Sequence, residues 1–294
     1  MELKNLRAFQ AVVDQGSYQR AAEFLGYTQS TITVQIQQLE EELGVPLFQR
    51  AGRRMVLTEL GAAALPQARA LLAAADRLSS IGQEVQGLSG TLRVDMAESL
   101  LCYQMQSIIQ KFRSMAPGVR LIIRSRNCRQ IADNTRSGAC DLGVGYDMDW
   151  DREVLEVEHL RSYAIVLLAA PSFRQRDFTT PHQRKAVSYI ADEPDGIFRC
   201  QMEAYLRERD IRLDETIELW SIETIKRCAA SGLGFAFLPR YTVLEELETG
   251  RLVELDAPIS GIMDHLLCAY RKERYVTAAM ALLMDLLRSD LLRG

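Results

Sequence analysis

Two short helical patterns separated by a glycine constrain this chain more than any other feature. The first begins at Ser17, a residue type that caps helix N-termini, and the chain breaks at Gly26 before Thr28 can cap a second helix. Apolar residues of the second pattern fall on one helix face: Ile32, Ile36, Leu39 and Leu43. Two helices joined by so tight a turn predict a helix-turn-helix, whose second helix enters the major groove of DNA.

The remaining face of the second helix carries uncharged polar side chains. They are Thr28, Gln29, Ser30, Thr31, Thr33, Gln35 and Gln37. Glutamine can pair with an adenine edge, and threonine offers a hydroxyl and a methyl group to thymine. We expect the first six to contact DNA, with Gln29, Ser30 and Thr33 best placed near the leading end. A merely solvated position is an equal alternative for Gln35 and Gln37.

A cluster of arginines follows the second helix. Residues 47–58 predict a small hairpin, the wing, with its tip near Gly52. Arg50, Arg53 and Arg54 lie around this tip, where guanidinium groups can pair with phosphates or enter a narrow minor groove. We expect all three to contact DNA, and a solvated charged turn is the alternative.

The charge of the chain is unfavourable for a DNA-binding protein. Its 294 residues carry a formal net charge of −4, and residues 1–58 hold six basic and six acidic side chains. A single head of this kind should bind phosphates weakly. DNA binding is therefore expected to depend on a few arginines, on helix N-termini and on repetition of the head in an oligomer.

The composition of the chain indicates in which cellular compartment the protein lies. With 25% charged and 48% hydrophobic residues the chain is ordinary for a globular protein. No apolar run approaches the ~20 residues that span a membrane, and no signal-peptide core follows the N-terminus. Six cysteines without close pairing fit reduced thiols. We expect a cytoplasmic protein with no membrane partner.

A long helical pattern follows the wing. It begins at Thr58, extends to about residue 86 and contains Pro66. Residues recur at intervals of seven along two adjacent rows: Ala64, Leu71, Leu78 and Val85, then Ala68, Ala75 and Gly82. Such a seam predicts a rod that joins two subunits, and packing against its own domain is the alternative. Residues 87–90 are interpreted as a hinge.

Strands and helices alternate through the rest of the chain. Candidate strands are 92–96, 119–124, 142–146, 164–169, 187–190, 217–220, 235–238 and 266–270. Helical stretches are 100–115, 129–137, 201–209 and 222–231. This alternation predicts parallel-rich sheets with crossover helices, arranged as two α/β subdomains. A ligand is expected in the cleft between them, at the carboxyl ends of strands.

The order of these motifs resembles that of the LysR-type transcriptional regulators over the full length of the chain. In the head the resemblance rests on Phe9, 16–18, 21–22, Leu25, 29–30, 35–36, 39–40, 43–44, 47–48, Arg50, Arg53, 57–58 and Gly61. Downstream it rests on 90–94, 117–119, 138–143 and 232–239. Ser30 and Thr31 stand where the family often has proline and alanine.

The resemblance implies a fold and a function. The fold is an α+β multidomain chain with an N-terminal winged helix-turn-helix, a long linker helix and a C-terminal α/β effector domain of two periplasmic-binding-protein-like subdomains. The function is regulation of transcription by a homodimer or homotetramer on inverted repeats in promoter DNA. A small effector binds in the cleft, no cofactor is required, and RNA polymerase is the expected partner.

The resemblance also places the domain limits. They are 1–58 for the DNA-binding domain, 59–89 for the linker (dimerisation) helix and hinge, and 90–294 for the effector domain. Within the last, subdomain I comprises 90–162 and 266–294, and subdomain II comprises 163–265. The chain is expected to cross between them near 161–163 and again near 264–266.

Seven residues are predicted to contact the effector, because they follow predicted strands or open predicted helices in loops that line the family's ligand site. They are Ser99, Asn127, Cys128, Tyr146, Arg199, Cys200 and Ser221. Arg124, Arg126 and Arg199 lie near helix N-termini, which attract anions, so a small carboxylate is one expectation. Surface ion pairs of these arginines are the equal alternative.

The cysteines suggest a second kind of signal. Cys102, Cys128 and Cys200 fall near the starts of predicted helices, where a thiol can have a lowered pKa and react with an oxidant or a thiophilic ion. The alternative is that they are small apolar fillers. The other cysteines, Cys140, Cys228 and Cys268, are predicted to lie in the core.

Enzyme classes find little support. His159, His182 and His265 are scattered without metal-ligand spacing, and neither a Walker loop nor a nucleophile elbow is present. The C-terminal portion alone would also suit a stand-alone small-molecule-binding or transport module. The helix-turn-helix and wing argue against that alternative.

Overall fold

The computed structural model describes residues 1–51, 54–81, 88–147 and 149–291. It divides into two compact units, one formed by Met1–Gly90 and the other by nearly all of the chain from Thr91 onward. Each unit has its own apolar core, and each is described separately.

The first unit begins with three helices. They are α1 (Leu3–Gln15), α2 (Tyr18–Leu25) and α3 (Gln29–Leu43). Gly16 and Gly26 end the first two helices with a φ of 71°, a left-handed conformation that suits glycine. The side chain of Ser17 then accepts the Arg20 backbone N–H and caps α2. The helix-turn-helix predicted from these residues is confirmed.

The core of the head is built from the apolar faces of these helices. Phe9, Ile32 and Leu39 are fully buried in one cluster, together with Ala21 and Leu47. Phe9 and Tyr18 both pack edge-on against Phe48, at ring-centroid distances of 5.6 and 5.7 Å. These contacts fix the angle between α1, α2 and the first strand of the wing.

The wing is a two-stranded antiparallel hairpin of β1 (Phe48–Ala51) and β2 (Arg54–Leu57). Its tip, residues 52–53, lies outside the described residues. The hairpin leads directly into α4 (Glu59–Ile81), and the Thr58 hydroxyl accepts the Gly61 backbone N–H at 2.9 Å. A Cβ at Gly61 would lie 2.1 Å from the Leu47 carbonyl oxygen, so this close approach requires glycine.

The two faces of α4 have different surroundings. Ala68 and Leu72 are buried in the head core, and Arg69 forms an ion pair with Asp14 at 2.7 Å. Leu71 and Leu78 are 45% and 73% exposed. The helix therefore packs against its own domain through Ala68 and Leu72 and leaves Leu71 and Leu78 uncovered. Gly82 and Val85 of the predicted seam lie outside the described residues.

The second unit is built on one nine-stranded sheet. Its strands are β3 (Ser89–Met96), β4 (Gly118–Ser125), β5 (Leu142–Tyr146), β6 (Leu155–Ala169), β7 (Arg184–Ala191), β8 (Arg212–Glu218), β9 (Phe235–Pro239), β10 (Val253–Glu254) and β11 (Ile262–Arg271). The order is β4-β3-β5-β11-β6-β9-β7-β8, with β10 beside β6. The helices are α5 (Glu98–Tyr103), α6 (Gln106–Met115), α7 (Cys128–Ser137), α8 (Ile197–Glu208), α9 (Ile222–Ala230), α10 (Leu244–Glu248) and α11 (Ala278–Leu291).

Two long antiparallel strands join the halves of this sheet. β11 pairs with β6 from Ile262 to Arg271, and Ser162 lies opposite His265. On one side of this point β11 pairs with β5, and on the other side β6 pairs with β9. The predicted parallel pairing holds for β3–β5, β7–β8 and β7–β9. The crossing strands β6 and β11 pair antiparallel, because the chain leaves one half and later returns.

The helix predicted over residues 100–115 is two helices. α5 ends at Tyr103, and α6 begins at Gln106. The Gln106 side-chain amide donates to the carbonyl oxygens of Leu101 and Cys102 at 2.8 and 2.7 Å. It thereby satisfies two of the carbonyls that a helix C-terminus leaves without a partner.

Candidate functional site

The leading end of α3 is exposed and internally organised. Thr28, Gln29 and Ser30 are all exposed. The Thr28 hydroxyl accepts the Thr31 backbone N–H at 3.2 Å and lies 2.8 Å from the hydroxyls of both Ser30 and Thr31. Thr33 donates to the Gln29 carbonyl at 3.0 Å. The amide of Gln29 is thus left facing solvent at the end of a helix held by its cap.

Gln35 lies elsewhere. It is only 5% exposed, and its Oε1 is buried without a hydrogen-bond partner among the described residues. The physical reason is its position directly before Ile36 and three residues after Ile32, which are both fully buried. The structure therefore removes Gln35 from the exposed face on which its expected DNA contact depended. Gln37 is exposed.

The structure describes the wing arginines only in part. Arg50 is exposed on β1, where its backbone pairs with that of Met55. Arg53 lies outside the described residues, and only the backbone of Arg54, in β2, is described. Among the wing arginines, Arg50 is thus the one whose side chain is described, and it is exposed.

The acidic end of α3 has a structural role that charge counting did not reveal. Glu40 accepts the backbone N–H groups of Leu47 and Phe48 at 2.6 and 3.2 Å, and so ties α3 to the wing. Glu42 pairs with the N-terminal ammonium group of Met1 at 3.0 Å. Two of the three carboxylates that close this helix are therefore compensated within the head.

A cavity of about 360 Å³ lies in the second unit. Five of the seven residues predicted to contact an effector line it: Ser99, Asn127, Cys128, Tyr146 and Ser221. Tyr146 ends β5, while the other four follow β3, β4 and β8 and lie at the starts of α5, α7 and α9. The cavity therefore lies at the carboxyl ends of strands, where ligands of open α/β sheets bind.

Arg199 and Cys200 are not among the lining residues. The Arg199 guanidinium donates to Glu203 at 2.7 Å, to Glu218 at 3.0 Å and to the Asp192 carbonyl at 3.1 Å. Its side chain is 15% exposed, so its charge serves an internal ion-pair network. For Arg199 the structure supports the alternative of ion pairing.

Hydroxyl groups connect the two halves of the sheet at the cavity floor. The Tyr146 hydroxyl lies 2.9 Å from that of Ser99 and 2.5 Å from that of Tyr241. Burial raises the pKa of both Tyr146 and Tyr241, so both phenols stay neutral. Tyr241 stacks in a tilted geometry on Tyr163, with ring centroids 4.5 Å apart. Sequence reasoning missed Tyr241, since it follows β9 without any local motif.

A carboxylate from α5 occupies the start of α9. Glu98 accepts the Ser221 hydroxyl at 3.1 Å and the Ile222 backbone N–H at 3.4 Å. A helix N-terminus carries partial positive charge, so this carboxylate stabilises the junction. The Ser221 hydroxyl is thereby engaged by the protein itself.

A second set of polar contacts joins α5 to α9. Tyr103 donates to Glu223, and Lys226 donates to the Tyr103 hydroxyl at 2.8 Å. Lys226 is 5% exposed and also pairs with Glu246 at 3.2 Å. The junction of α5 and α9 thus holds charged groups that compensate one another.

Asp192 and Glu193 form another part of the cavity wall. Burial, and then the neighbouring Glu193, raise the pKa of Asp192 to about 7. Its Oδ1 is buried and has no hydrogen-bond partner among the described residues. A Cβ at Gly196 would lie 2.2 Å from Oδ2, so the carboxyl group packs directly on that backbone.

The thiols lack the environment of reactive cysteines. Burial raises the pKa of Cys128 to about 12. Cys102 and Cys200 are exposed, but burial of the thiol and then nearby carboxylates raise the pKa of both. Cys102 is also the fifth residue of α5, not part of its first turn. For Cys128, which is buried, the structure thus favours the apolar-filler alternative.

Two of the scattered histidines meet at the strand crossing. Ser162 lies 3.0 Å from His159 Nε2 and 2.7 Å from His265 Nδ1. Within the described residues, no group of three or more potential ligands is arranged to hold a metal ion. A search of the same residues finds no helix both long and apolar enough to cross a membrane.

Comparison with known proteins matches both parts of the chain. The family model described as bacterial regulatory helix-turn-helix protein, lysR family, matches residues 3–62. The model described as LysR substrate binding domain matches residues 85–292. The HTH-type transcriptional regulator YfiE of Escherichia coli K12 is 39% identical over 294 residues, which cover 100% of both chains.

Solved structures share the fold. Full-length OxyR from Pseudomonas aeruginosa superposes with a TM-score of 0.69 at 23% identity, covering 99% of this chain and 95% of that one. DarR from Vibrio fischeri, in complex with DNA, gives a TM-score of 0.56 at 20% identity, covering 98% and 99%.

Proposed function

The chain belongs to the LysR family of transcriptional regulators, and we propose which of its residues read DNA and which contact the effector. Like the family, it is a sequence-specific DNA-binding regulator and not an enzyme, and a small effector bound by its C-terminal domain modulates DNA binding. Nothing in the comparisons favours a stand-alone transport module.

Base reading is assigned to the exposed start of α3. Gln29, Ser30 and Thr33 offer uncharged donors and acceptors to base edges, and Thr28 and Thr31 hold the helix end in place. Arg50, with Arg53 and Arg54 of the same hairpin, pairs with phosphates or the minor groove. The observation that carries this assignment is the exposure of Gln29 and Ser30 beside a capped helix N-terminus.

Effector contact is assigned to the cavity lined by Ser99, Asn127, Cys128, Tyr146 and Ser221. The hydroxyls of Ser99 and Tyr146 reach Tyr241, which follows a strand of the other half of the sheet. A ligand that alters these contacts would alter the angle between the halves, which is the change an effector needs to transmit.

The assembly is proposed to be a homodimer or homotetramer on inverted repeats in promoter DNA. The uncovered apolar row of α4 supports self-association, and the electrically neutral head needs a second copy for firm binding. We place its action in the cytoplasm, with RNA polymerase as the partner at the promoter. The domain limits 1–58, 59–89 and 90–294 are kept as part of this proposal.

In vitro selection from fragmented chromosomal DNA of the encoding bacterium tests this function. The wild-type chain is expected to enrich a few fragments that share an inverted repeat. A Ser30→Asp variant should lose this enrichment, because a carboxylate on the reading face repels phosphates and cannot donate a hydrogen bond to base acceptors. The matched control is Ser114→Asp, at an exposed position of α6, which should enrich the same fragments. Enrichment that is absent in the wild type, or retained by Ser30→Asp, contradicts the assignment.

A further inference from the structure

The charges of the cavity specify a ligand more narrowly than the fold does. Among the described residues that line it, three are carboxylates and one is a guanidinium: Glu98, Asp192, Glu193 and Arg126. A simple anion would enter against an excess of negative charge. The expectation of a small carboxylate, drawn from nearby arginines, does not fit this wall.

The helix N-terminus that an anion would use at α9 is already taken. Glu98 accepts both the Ser221 hydroxyl and the Ile222 backbone N–H there. Arg199 is one of the arginines on which the expected carboxylate site depended, and it is paired with Glu203 and Glu218. Both the α9 N-terminus and Arg199 are therefore engaged within the protein.

Asp192 instead provides a site for a cation or a hydrogen-bond donor. Its buried Oδ1 has no hydrogen-bond partner among the described residues, although the carboxyl group lies in the cavity wall. A buried polar oxygen without a partner is costly, so the carboxyl group gains when its side chain turns toward the cavity and meets a donor on a ligand. Glu193 beside it adds a second negative charge.

Aromatic rings complete a pocket for a cation. Phe198, Tyr146 and Trp220 all line the cavity. Trp220 is 70% exposed, which is unusual for so large an apolar side chain and leaves its ring free to contact a ligand. Ring faces attract ammonium groups electrostatically, and the attraction adds to that of the carboxylates.

Arg126 nevertheless offers the cavity a partner for a negative group. Arg126 is exposed and lines the cavity beside Asn127 and Cys128, at the start of α7. Its guanidinium can pair with a carboxylate in a bidentate manner, next to the partial positive charge of that helix terminus. The lining is thus bipolar, with Asp192 and Glu193 on one part and Arg126 on another.

We propose that the cavity binds a small zwitterion of the α-amino-acid class, with its ammonium group at Asp192 and Glu193 and its carboxylate at Arg126. This ligand class rests on the effector role proposed above for the same cavity. It also assigns Trp220 as an exposed ring that packs against the ammonium end of the ligand.

Isothermal titration calorimetry on the full chain tests the proposal. The probes are the common α-amino acids, with butylamine and butyrate as half-ligands that carry only one of the two charges. At least one amino acid should bind more tightly than either half-ligand, and binding should change the fluorescence of Trp220. Asp192→Asn, which keeps the shape of the side chain, should weaken that binding by about tenfold or more. The matched control is Asp214→Asn, which changes an exposed carboxylate on β8 and should bind as wild type does.

The pH dependence gives a second readout. The charged and titratable groups that face Asp192 are Glu193, Arg199, Cys128, Tyr189 and Cys200. The two thiols and the phenol have raised pKa values and stay neutral near pH 7, and Arg199 stays charged. The pKa of Asp192 is about 7, so affinity for the ammonium group should rise from about pH 6 to about pH 8 as this carboxyl ionises. Asp192→Asn should lose that rise.

The contrary outcomes are distinct from failure of the proposed function. Butyrate that binds as tightly as every amino acid, undiminished binding by Asp192→Asn, or no binding by any amino acid overturns the ligand class. Amino-acid binding that depends on Asp192 supports it, even where a mobility shift shows no effect of that ligand on DNA binding. That last combination contradicts the effector role alone.

Discussion

At the scale of single residues, one hydroxyl group organises the start of the recognition helix α3. Thr28 accepts the Thr31 backbone N–H and contacts the hydroxyls of Ser30 and Thr31. Because this hydroxyl accepts a backbone N–H that the helix terminus would leave without a partner, it stabilises α3 and also fixes the conformation of its first turn. Base reading by Gln29 depends on that fixed end.

Replacing Thr28 tests this role. Thr28→Ala should lower the free energy of unfolding of the head by roughly 0.5–2 kcal/mol, because the cap is lost. Thr28→Ser keeps the hydroxyl and should stay close to wild type. Urea unfolding followed by circular dichroism compares the three proteins, and equal midpoints for the alanine and serine variants would refute the capping role.

Gln35 differs from its polar neighbours because it is buried. With 5% of its surface exposed, it belongs to the packing of α3 against the head core. Gln35→Leu is therefore expected to keep the ratio of operator affinity to random-DNA affinity within roughly threefold of wild type. Fluorescence anisotropy with both DNAs measures the ratio. A collapse of base preference would mean that Gln35 turns outward on DNA.

At the scale of elements, local signals predicted the head better than the sheet. The helix limits in the head are set by residues that act within one turn, namely Gly16, Ser17, Gly26 and Thr28. The sequence therefore predicts where these helices begin and end. The antiparallel pairing of β6 with β11 joins residues about a hundred positions apart, and no local pattern encodes it. The residues of the candidate cavity were likewise predictable where a local signal marked them and unpredictable where distant contacts decided.

Positions at the ends of predicted strands identified most of the effector-site residues that line the cavity. Ion pairing and burial, which the local sequence does not show, determined the others. Ser99, Asn127 and Tyr146 were found from their places beside strands, and the structure puts them in the cavity wall. Arg199 was drawn in by the same reasoning, but Glu203 and Glu218 hold it away from that role. Asp192 went unnoticed because its importance comes from burial, which the sequence around it does not show.

The contact between α5 and α9 yields a prediction about stability. Lys226 is buried and pairs with Glu223 and Glu246, so Lys226→Met removes the nearest cation of both carboxylates. Removal of one partner from a buried pair costs on the order of 3 kcal/mol. The control Lys111→Met breaks an exposed pair with Asp290 and should cost at most about 1 kcal/mol. Hydrogen exchange of α9 measures both, and equal protection in the two variants would contradict the account.

At the scale of the whole molecule, the uncovered side of α4 explains how a weakly charged head can hold DNA. Leu71 and Leu78 are exposed, whereas Ala68 and Leu72 pack on the head. An apolar row of this kind is stabilised by a second copy of the same helix. Two heads tethered on one duplex then bind more tightly than either alone, because the second head binds at a high effective concentration.

Charge on this row should separate the copies. The double change Leu71→Lys with Leu78→Lys is expected to shift the protein to a smaller assembly and to reduce affinity for a two-half-site operator by about a hundredfold, because the second head is no longer tethered. Leu233→Lys changes an exposed leucine of the second unit and serves as control. Sedimentation velocity measures the assembly, and an unchanged sedimentation coefficient for the double variant would exclude this row as the interface.

The central claim is that the uncharged start of α3 reads base edges, and Gln29→Ala measured on operator and on random DNA tests it most directly. Gln10→Ala on α1 is the matched control. The account predicts that Gln29→Ala loses about 1–3 kcal/mol of operator binding and little binding to random DNA, so that base preference flattens. Operator and random-DNA affinities that both equal those of the wild type would contradict it.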